Sequence, residues 1–186
     1  MIEVEVKVSV ENTETVENLL LQKGLHKGKF VKECDFYFDN LKNDIRNGDQ
    51  ALRIRSCEDF STGKIIAFMT HKGPKMDQIS MTRPEVELEI ADANVGIQLI
   101  TSLGYTKQYP VIKCRQYFHK EQMTVCLDQV DKLGDFLEVE MIVEKEEEKA
   151  NALNEILEFL QELGYSKEHL LRKSYLSMLQ DKSSLT

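Results

Sequence analysis

The chain has no CxxC pair. Its four cysteines, Cys34, Cys57, Cys114 and Cys126, have no histidine at metal-ligand spacing, which argues against a zinc site and reads as reduced thiols in a cytoplasmic protein. It has no long hydrophobic run either. Stretches such as residues 65–69 are far too short to cross a membrane. Positive charge is scarce: 24 Lys and Arg stand against 32 Asp and Glu, a net charge of −8. That balance argues against a protein that binds the body of a nucleic acid, but it leaves room for a small polyanion in a local basic pocket. The first residues already carry Glu and Lys, so no secretory leader is expected. No linker or low-complexity tract divides the chain. The expectation is one domain over residues 1–181, followed by a frayed tail at 182–186.

What the chain does have is an unusual kind of strand. Glu3-Val4-Glu5-Val6-Lys7 returns as Glu85-Val86-Glu87-Leu88-Glu89 and again as Glu138-Val139-Glu140. Alternation with period two puts each run's carboxylates on one sheet face and its apolar residues on the other. Stacked like charges repel, and glutamate is a poor strand former. Three such strands therefore call for neutralising partners, either metal cations or facing Lys and Arg.

Strand patterns fall near 2–10, 30–39, 50–57, 64–72, 79–90, 109–119, 122–130 and 135–144, and several are separated by turn signals such as Asn47-Gly48-Asp49 and Leu133-Gly134. The short connections predict an antiparallel sheet, and eight strands suffice to close a barrel around one ligand. Helical periodicity appears near 13–23, 92–103, 147–163 and 167–180, most clearly as the Leu153, Ile156, Leu157, Leu160, Leu163 stripe. Ser166 is the expected N-cap of the last helix. Three helices end alike, at Gly24, Gly104 and Gly164, as C′ positions in a left-handed conformation would. This weak repeat of strand plus helix suggests two pseudo-symmetric halves around one cavity.

Basic strands answer the acidic ones. Arg53 alternates with Arg55 and Lys113 with Arg115, Lys72 ends a strand in phase with Thr70, and Arg83 is in phase with Glu85, Glu87 and Glu89. Any one of these faces could simply be solvated, with cross-strand ion pairs explaining the mixed signs. Taken together, with apolar residues on every opposite face, they also fit a charged lumen with helices packed outside. Carboxylates suit hard divalent cations, and Arg and Lys suit phosphate oxygens. A mixed lining therefore suits a metal–polyphosphate complex.

The order of elements resembles the CYTH superfamily, the triphosphate tunnel metalloenzymes, which include CyaB-type (class IV) adenylyl cyclases and thiamine triphosphatases. Glu3-x-Glu5-x-Lys7 resembles its ExExK signature. Asp35-Phe36-Tyr37-Phe38-Asp39, Leu52-Arg53-Ile54-Arg55, Thr70-His71-Lys72-Gly73-Pro74, Lys113-Cys114-Arg115, the run from Leu127-Asp128 to Glu138-Val139-Glu140, and Ser174-Tyr175 resemble later elements in the same order.

The resemblance implies an α+β fold, an eight-stranded antiparallel barrel with helices outside. It implies that Glu3, Glu5, Glu138 and Glu140, with Asp128, bind Mg²⁺ or Mn²⁺, two ions in all. It implies that Lys7, Arg53, Arg55, Lys72, Lys113 and Arg115 hold a triphosphate. Lys7, Lys72 and Arg83 would take part in the chemistry, and Glu87 and Glu89 would be supporting lumen charges. Glu85, which follows Pro84, is the least secure member of its run. His71 is expected to face the helices, and Tyr37, Tyr117 and Tyr175 to be core or supporting residues. The activity implied first is conversion of ATP to cyclic AMP and pyrophosphate. Hydrolysis of inorganic, thiamine or nucleoside triphosphate is the alternative, and non-catalytic sensing of polyphosphate or nucleotide is a third. The expected partner is a small triphosphate, with no nucleic acid and no membrane. Pairing of two copies through an outer helix face is allowed.

Overall fold

The computed structural model describes residues 1–184. In chain order these form β1 (Ile2–Val10), α1 (Thr13–Gln22), β2 (His26–Asp39), the short α2 (Asp44–Asn47), β3 (Ala51–Asp59), β4 (Ile65–Lys72) and β5 (Arg83–Ile90). There follow α3 (Ala93–Ser102), the two-residue β6 (Thr106–Lys107), β7 (Val111–Lys120), β8 (Met123–Val130), β9 (Gly134–Val143), α4 (Lys149–Glu162) and α5 (Tyr175–Ser183). Eight strands close a ring in the order β3-β4-β5-β1-β9-β8-β7-β2, with β2 returning to β3, while β6 adds to the end of β2. Every neighbouring pair is antiparallel. The eight-stranded antiparallel barrel expected from the strand pattern is the fold.

The barrel turns the usual arrangement inside out. On β1, Val4, Val6 and Val8 point outward and are 0–2% exposed, buried beneath Leu20 of α1 and Ile156 and Leu160 of α4. Each buried aliphatic side chain of this layer contributes about 1.5–3 kcal/mol. Glu3, Glu5 and Lys7, one residue out of phase, point into the lumen and are also buried. Two smaller clusters seal other sides: Phe38 and Ile54 beneath Ile100 of α3, and Val111, Val130 and Phe136 beneath Leu179 of α5. Gly96 lets α3 approach closely, since a Cβ there would stand 2.7 Å from Ile90 Cδ1 and 3.0 Å from Ile54 Cδ1.

The repeated strand–helix units are the two pseudo-symmetric halves expected: β1-α1-β2-β3-β4 and β5-α3-β7-β8-β9 occupy equivalent places in the ring, with β1 and β5 exchanged between them. They set β5, β1 and β9 side by side, so the three Glu-x-Glu strands form one continuous wall. The helices that follow stop at Gly24, Gly104 and Gly164, with φ of 81°, 92° and 90°, as their left-handed C′ role predicts. The β1–β5 seam is short, only Ile2 opposite Pro84 and Glu3 opposite Arg83. Met81 N–H caps the Glu5 carbonyl beyond it, at 2.8 Å.

The starts of β2, β5 and the last helix differ from the sequence expectations, and one short helix is new. β2 starts at His26, because its pairing with β7 resumes beyond an irregularity between Lys27 and Phe30. β5 starts at Arg83 rather than 79: the Asp77 carboxylate accepts from the Ile79 and Ser80 amides at 2.8 and 2.7 Å, a turn that keeps this stretch out of the ladder. Ser166 caps only a 3-10 turn at Lys167–His169, after which the chain extends. The N-cap of α5 is Ser174, whose hydroxyl accepts from the Ser177 amide at 3.2 Å. α2, unforeseen, is anchored by the Asp39 carboxylate, which accepts from the Ile45 and Arg46 amides at 3.1 Å each. Of the expected tail, Lys182 and Ser183 complete α5, while residues 185–186 lie outside the described residues. No helix among the described residues is long and apolar enough to cross a membrane.

Candidate active site

The lumen is a cavity of about 650 Å³ whose lining includes Glu3, Glu5, Lys7, Arg53, Arg55, Lys72, Arg83, Lys113, Arg115, Glu138 and Glu140. The β5-β1-β9 wall supplies most of the acid. Glu5 stands directly opposite Glu140, and Lys7 opposite Glu138. Burial, with Glu138 and Glu3 close by, pushes the Glu5 carboxyl up to about 7. Burial, with Glu3 and then Glu5, pushes Glu140 up to about 8. Burial would raise Glu138 too, but the Lys7 ammonium 3.0 Å away and the Arg115 guanidinium hold it well below the usual carboxylate range.

Lys72, from β4, reaches into this wall. Its ammonium bonds the Glu3 carboxylate and lies 2.9 Å from Glu85 and 3.8 Å from Glu5. Burial would lower its pKa, but Glu3 and Glu5 outweigh burial and raise it. Glu85 is thus a member of the lumen network.

The opposite wall, β7-β2-β3, is built on two matching forks. Asp35 on β2 lies across from Arg55 on β3, and accepts its Nε and Nη2 hydrogens at 2.6 and 2.7 Å. Asp128 on β8 lies across from Arg115 on β7, and accepts the same two groups at 2.6 and 2.6 Å. Each aspartate also steadies the second cation of its pair, Arg53 at 3.4 Å and Lys113 at 3.2 Å. Glu33 sits between the forks, 3.0 Å from Arg55 and 3.3 Å from Lys113, and accepts from the Tyr117 hydroxyl at 2.9 Å. Burial opposes ionisation of Glu33, but Arg55 and Lys113 hold its pKa down at about 2. Planar bidentate pairing of this kind turns a flexible arginine into a fixed donor.

The forks use the Nε and Nη2 edges of Arg55 and Arg115 and leave both Nη1 groups without a carboxylate among the described residues. Two further guanidiniums have donors to spare. Arg53 Nε is buried with no hydrogen-bond partner among the described residues. Arg83 is 6% exposed and, among the described residues, donates only to the Met81 carbonyl, at 3.3 Å. A buried donor without an acceptor costs about 1–3 kcal/mol, so these groups call for an anion.

Several sequence expectations change here. Asp128 is fully buried, is absent from the cavity lining, and has its oxygens occupied by Arg115, Lys113 and the Tyr175 hydroxyl at 2.9 Å. It faces the forks, not the space where a cation would sit. Glu89 is exposed and off the cavity, since β5 has run past the lumen at that point. Glu87 stays at the rim, accepting from Thr70 Oγ1 at 2.8 Å. His71 does not face a helix; it is exposed and pairs with Gln50 at 2.9 Å. Tyr37, Tyr117 and Tyr175 reach the cavity wall and are the core and supporting residues expected: Tyr175 and Tyr37 pack in one apolar cluster, and Tyr117 and Tyr175 donate to Glu33 and Asp128. Neither Glu33 nor Asp35 was expected in the site, although Asp35 opens a family-like element and both share the period-two phase of Tyr37 and Asp39.

For a metal, the donors with the right chemistry are Glu3, Glu5 and Glu140: oxygen ligands on adjacent strands, two of them driven toward protonation by burial and neighbouring carboxylates. They are not gathered around one point, and no group of three ligating side chains among the described residues is. Lys72 stands among them as the counter-cation.

A family description, the CYTH domain, matches residues 1–175. The chain belongs to the CYTH family. Among CYTH relatives, a Methanocaldococcus jannaschii protein provisionally named as an adenylate cyclase is 39% identical over 181 residues, covering 96% of this chain and 98% of its own. A Pyrococcus horikoshii protein of known structure superposes with a TM-score of 0.87 at 34% identity, covering 97% of this chain and 99% of its own. A Hippeastrum protein, described as an adenylyl cyclase homologue with a dominant triphosphatase activity, shares the CYTH fold at a TM-score of 0.64 and 17% identity, over 97% of this chain and 96% of its own.

Proposed function

We propose that this CYTH barrel is a divalent-metal-dependent enzyme that binds a triphosphate in its lumen, and that its activity is the cyclisation of ATP to cyclic AMP and pyrophosphate. The observation that carries the reading is the pairing of two kinds of unmet demand in one buried cavity. Arg53 and Arg83 hold unspent donors, and Glu5 and Glu140 are carboxylates short of positive charge. A polyphosphate answers the first and a divalent cation the second.

In this reading Arg53, Arg55, Lys113 and Arg115 receive the polyphosphate on the β7-β2-β3 wall, the arginines held in orientation by Asp35 and Asp128. Arg83 and Lys72 flank it near the β4–β5 side. Lys7 lies on the acidic wall between Glu5 and Glu138. Glu3, Glu5 and Glu140 would hold Mg²⁺ or Mn²⁺, which when bound supplies charge neutralisation and activates the attacking oxygen. The residues' own contribution is to fix the phosphates in line and absorb charge as the leaving group departs.

Hydrolysis is the second reading. The same walls would serve it with water in place of the ribose 3′-hydroxyl, and the dominant triphosphatase activity named for the Hippeastrum protein of this fold favours the reading. The test is incubation with Mg²⁺ or Mn²⁺ and either ATP or inorganic triphosphate, followed by phosphorus NMR. Cyclic AMP with pyrophosphate is the expected result. Orthophosphate alone would make the protein a triphosphatase, and no turnover despite binding would make it a sensor.

A further inference from the structure

Tyr175 opens α5, just after the Ser174 N-cap, and is 6% exposed. Its ring touches two lumen cations at once. Lys7 Nζ stands 4.1 Å from the ring centroid and Lys113 Nζ 5.2 Å, both within reach of a cation–π interaction. Its hydroxyl donates to Asp128 Oδ2 at 2.9 Å, the carboxylate that forks Arg115. Phe136 backs the ring at 5.0 Å, tilted by 57°. The segment before it is tied to the same strand residue: Leu171 N–H donates to the Lys7 carbonyl at 2.8 Å, and the Lys7 ammonium donates to the Lys173 carbonyl at 3.5 Å.

One side chain from the C-terminal helix therefore reaches three cations on two strands, β1 and β7, that are not neighbours in the barrel. We infer that Tyr175 is a positioning residue: its ring clamps the Lys7 and Lys113 ammoniums, its hydroxyl fixes the Asp128–Arg115 fork, and α5 must dock for the phosphate-binding wall to be complete. An ammonium on a four-carbon stem loses rotamer freedom when it binds a ligand, and restraining it beforehand removes part of that cost. Carboxylates already hold one side of each ammonium. The ring holds another side without adding a formal negative charge, so it steadies the lysines and leaves more of their attraction for phosphate than a further acid would.

This inference rests on the triphosphate reading above, and its test separates the two. Position 175 is replaced by Phe, by Leu, and by phenylalanines of increasing fluorination, which keep the ring's shape while draining its negative face. Binding of inorganic tripolyphosphate with Mg²⁺ is measured by calorimetry. Melting temperature is followed in parallel. The expected result is weaker binding by about tenfold for Tyr175→Leu relative to Tyr175→Phe, and a stepwise loss along the fluorinated series at unchanged melting temperature. Fluorinated rings that bind like Phe, or Leu that binds like Phe, would overturn it. Without any ligand, the Lys7 and Lys113 ε-methylene resonances should lie upfield in the parent and relax in Tyr175→Leu. Absence of that ring-current shift overturns the clamp whatever the substrate is. A parent protein that ignores tripolyphosphate overturns the triphosphate reading instead, and leaves the clamp to be judged by those shifts.

Discussion

Glu5 and Glu140 are directly opposed in the β1–β9 ladder, and each carboxyl titrates far above its ordinary range, at about 7 and about 8. Like charges opposite each other weaken a sheet. The barrel tolerates the pair because Val4, Val6, Val8 and Val139, on the other face of the same strands, are buried beneath the helices. Stability is supplied outside the lumen and given up inside it.

Replacing Glu140 by Gln should therefore stabilise the metal-free protein while removing metal-dependent turnover. The sign follows from the raised pKa. Between the ordinary value of 4.5 and the folded value of about 8, the native state binds more protons than the unfolded chain, so stability falls as pH rises. At pH 8 the Gln variant should be more stable by on the order of 2 kcal/mol, a figure reduced because Glu140 is only half-buried. Below pH 4.5 the two proteins should melt alike. Thermal unfolding across this range checks it, and a lower melting temperature for the variant at pH 8 would contradict it.

Metal binding should release protons. With Glu5 titrating at about 7 and Glu140 at about 8, both are largely protonated at pH 6, and a bound cation displaces those protons. Mg²⁺ or Mn²⁺ affinity should rise from pH 6 to pH 8 and level off above pH 9. Calorimetry in buffers of different ionisation enthalpy would count the protons. A count near zero at pH 6.5 would remove these two acids from the metal site.

Asp128→Asn should behave as a lost strut rather than a lost metal ligand. Removing one partner of a buried ion pair costs about 3–5 kcal/mol, and Arg115 and Lys113 both rely on Asp128. Triphosphate affinity should drop, while the Mg²⁺ concentration giving half-maximal activity stays unchanged. A shift of that midpoint by tenfold or more would return Asp128 to the metal ligands.

Arg53 and Arg55 should separate binding from stability. Among the described residues Arg53 makes only long ion pairs, 3.4 Å to Asp35 and 3.9 Å to Glu87. Arg53→Ala should leave the fold intact and weaken triphosphate binding by about 2 kcal/mol, a charge-assisted contact. Arg55→Ala removes the bidentate partner of Asp35 and the closer cation of Glu33, leaving Arg53 at 3.4 Å and Lys113 at 3.3 Å, and should cost about 3 kcal/mol of stability as well. Equal melting temperatures for the two variants would refute the fork.

Much of this site was legible in the chain. Period two alone placed Glu3, Glu5 and Lys7 on one face and the valines on the other, because a strand leaves a side chain no third direction. The phase of Lys113 and Arg115, and of Arg53 and Arg55, was equally plain. Where reading failed, local signals were outweighed by contacts distant in sequence. Asp128 has the composition and phase of a metal ligand, but it is claimed by Arg115 across the ladder and by Tyr175, 47 residues away. Glu89 shares the phase of Glu85 and is exposed because the strand outruns the lumen. The last helix starts at Tyr175 instead of 167 because a single 3-10 turn at Lys167–His169 gives way to an extended segment, with Leu171 bonded to Lys7.

The alternating pattern thus sufficed for the strands, their two faces and the chemical character of the lumen, since these depend on backbone geometry and side-chain type alone. Folding was needed to put β5, β1 and β9 side by side, to oppose Glu5 to Glu140, and to match each arginine with its aspartate. Those relationships depend on which strands pair and in what register. Register is a property of the closed barrel, set by the burial of the whole outer face at once, and no segment carries it on its own.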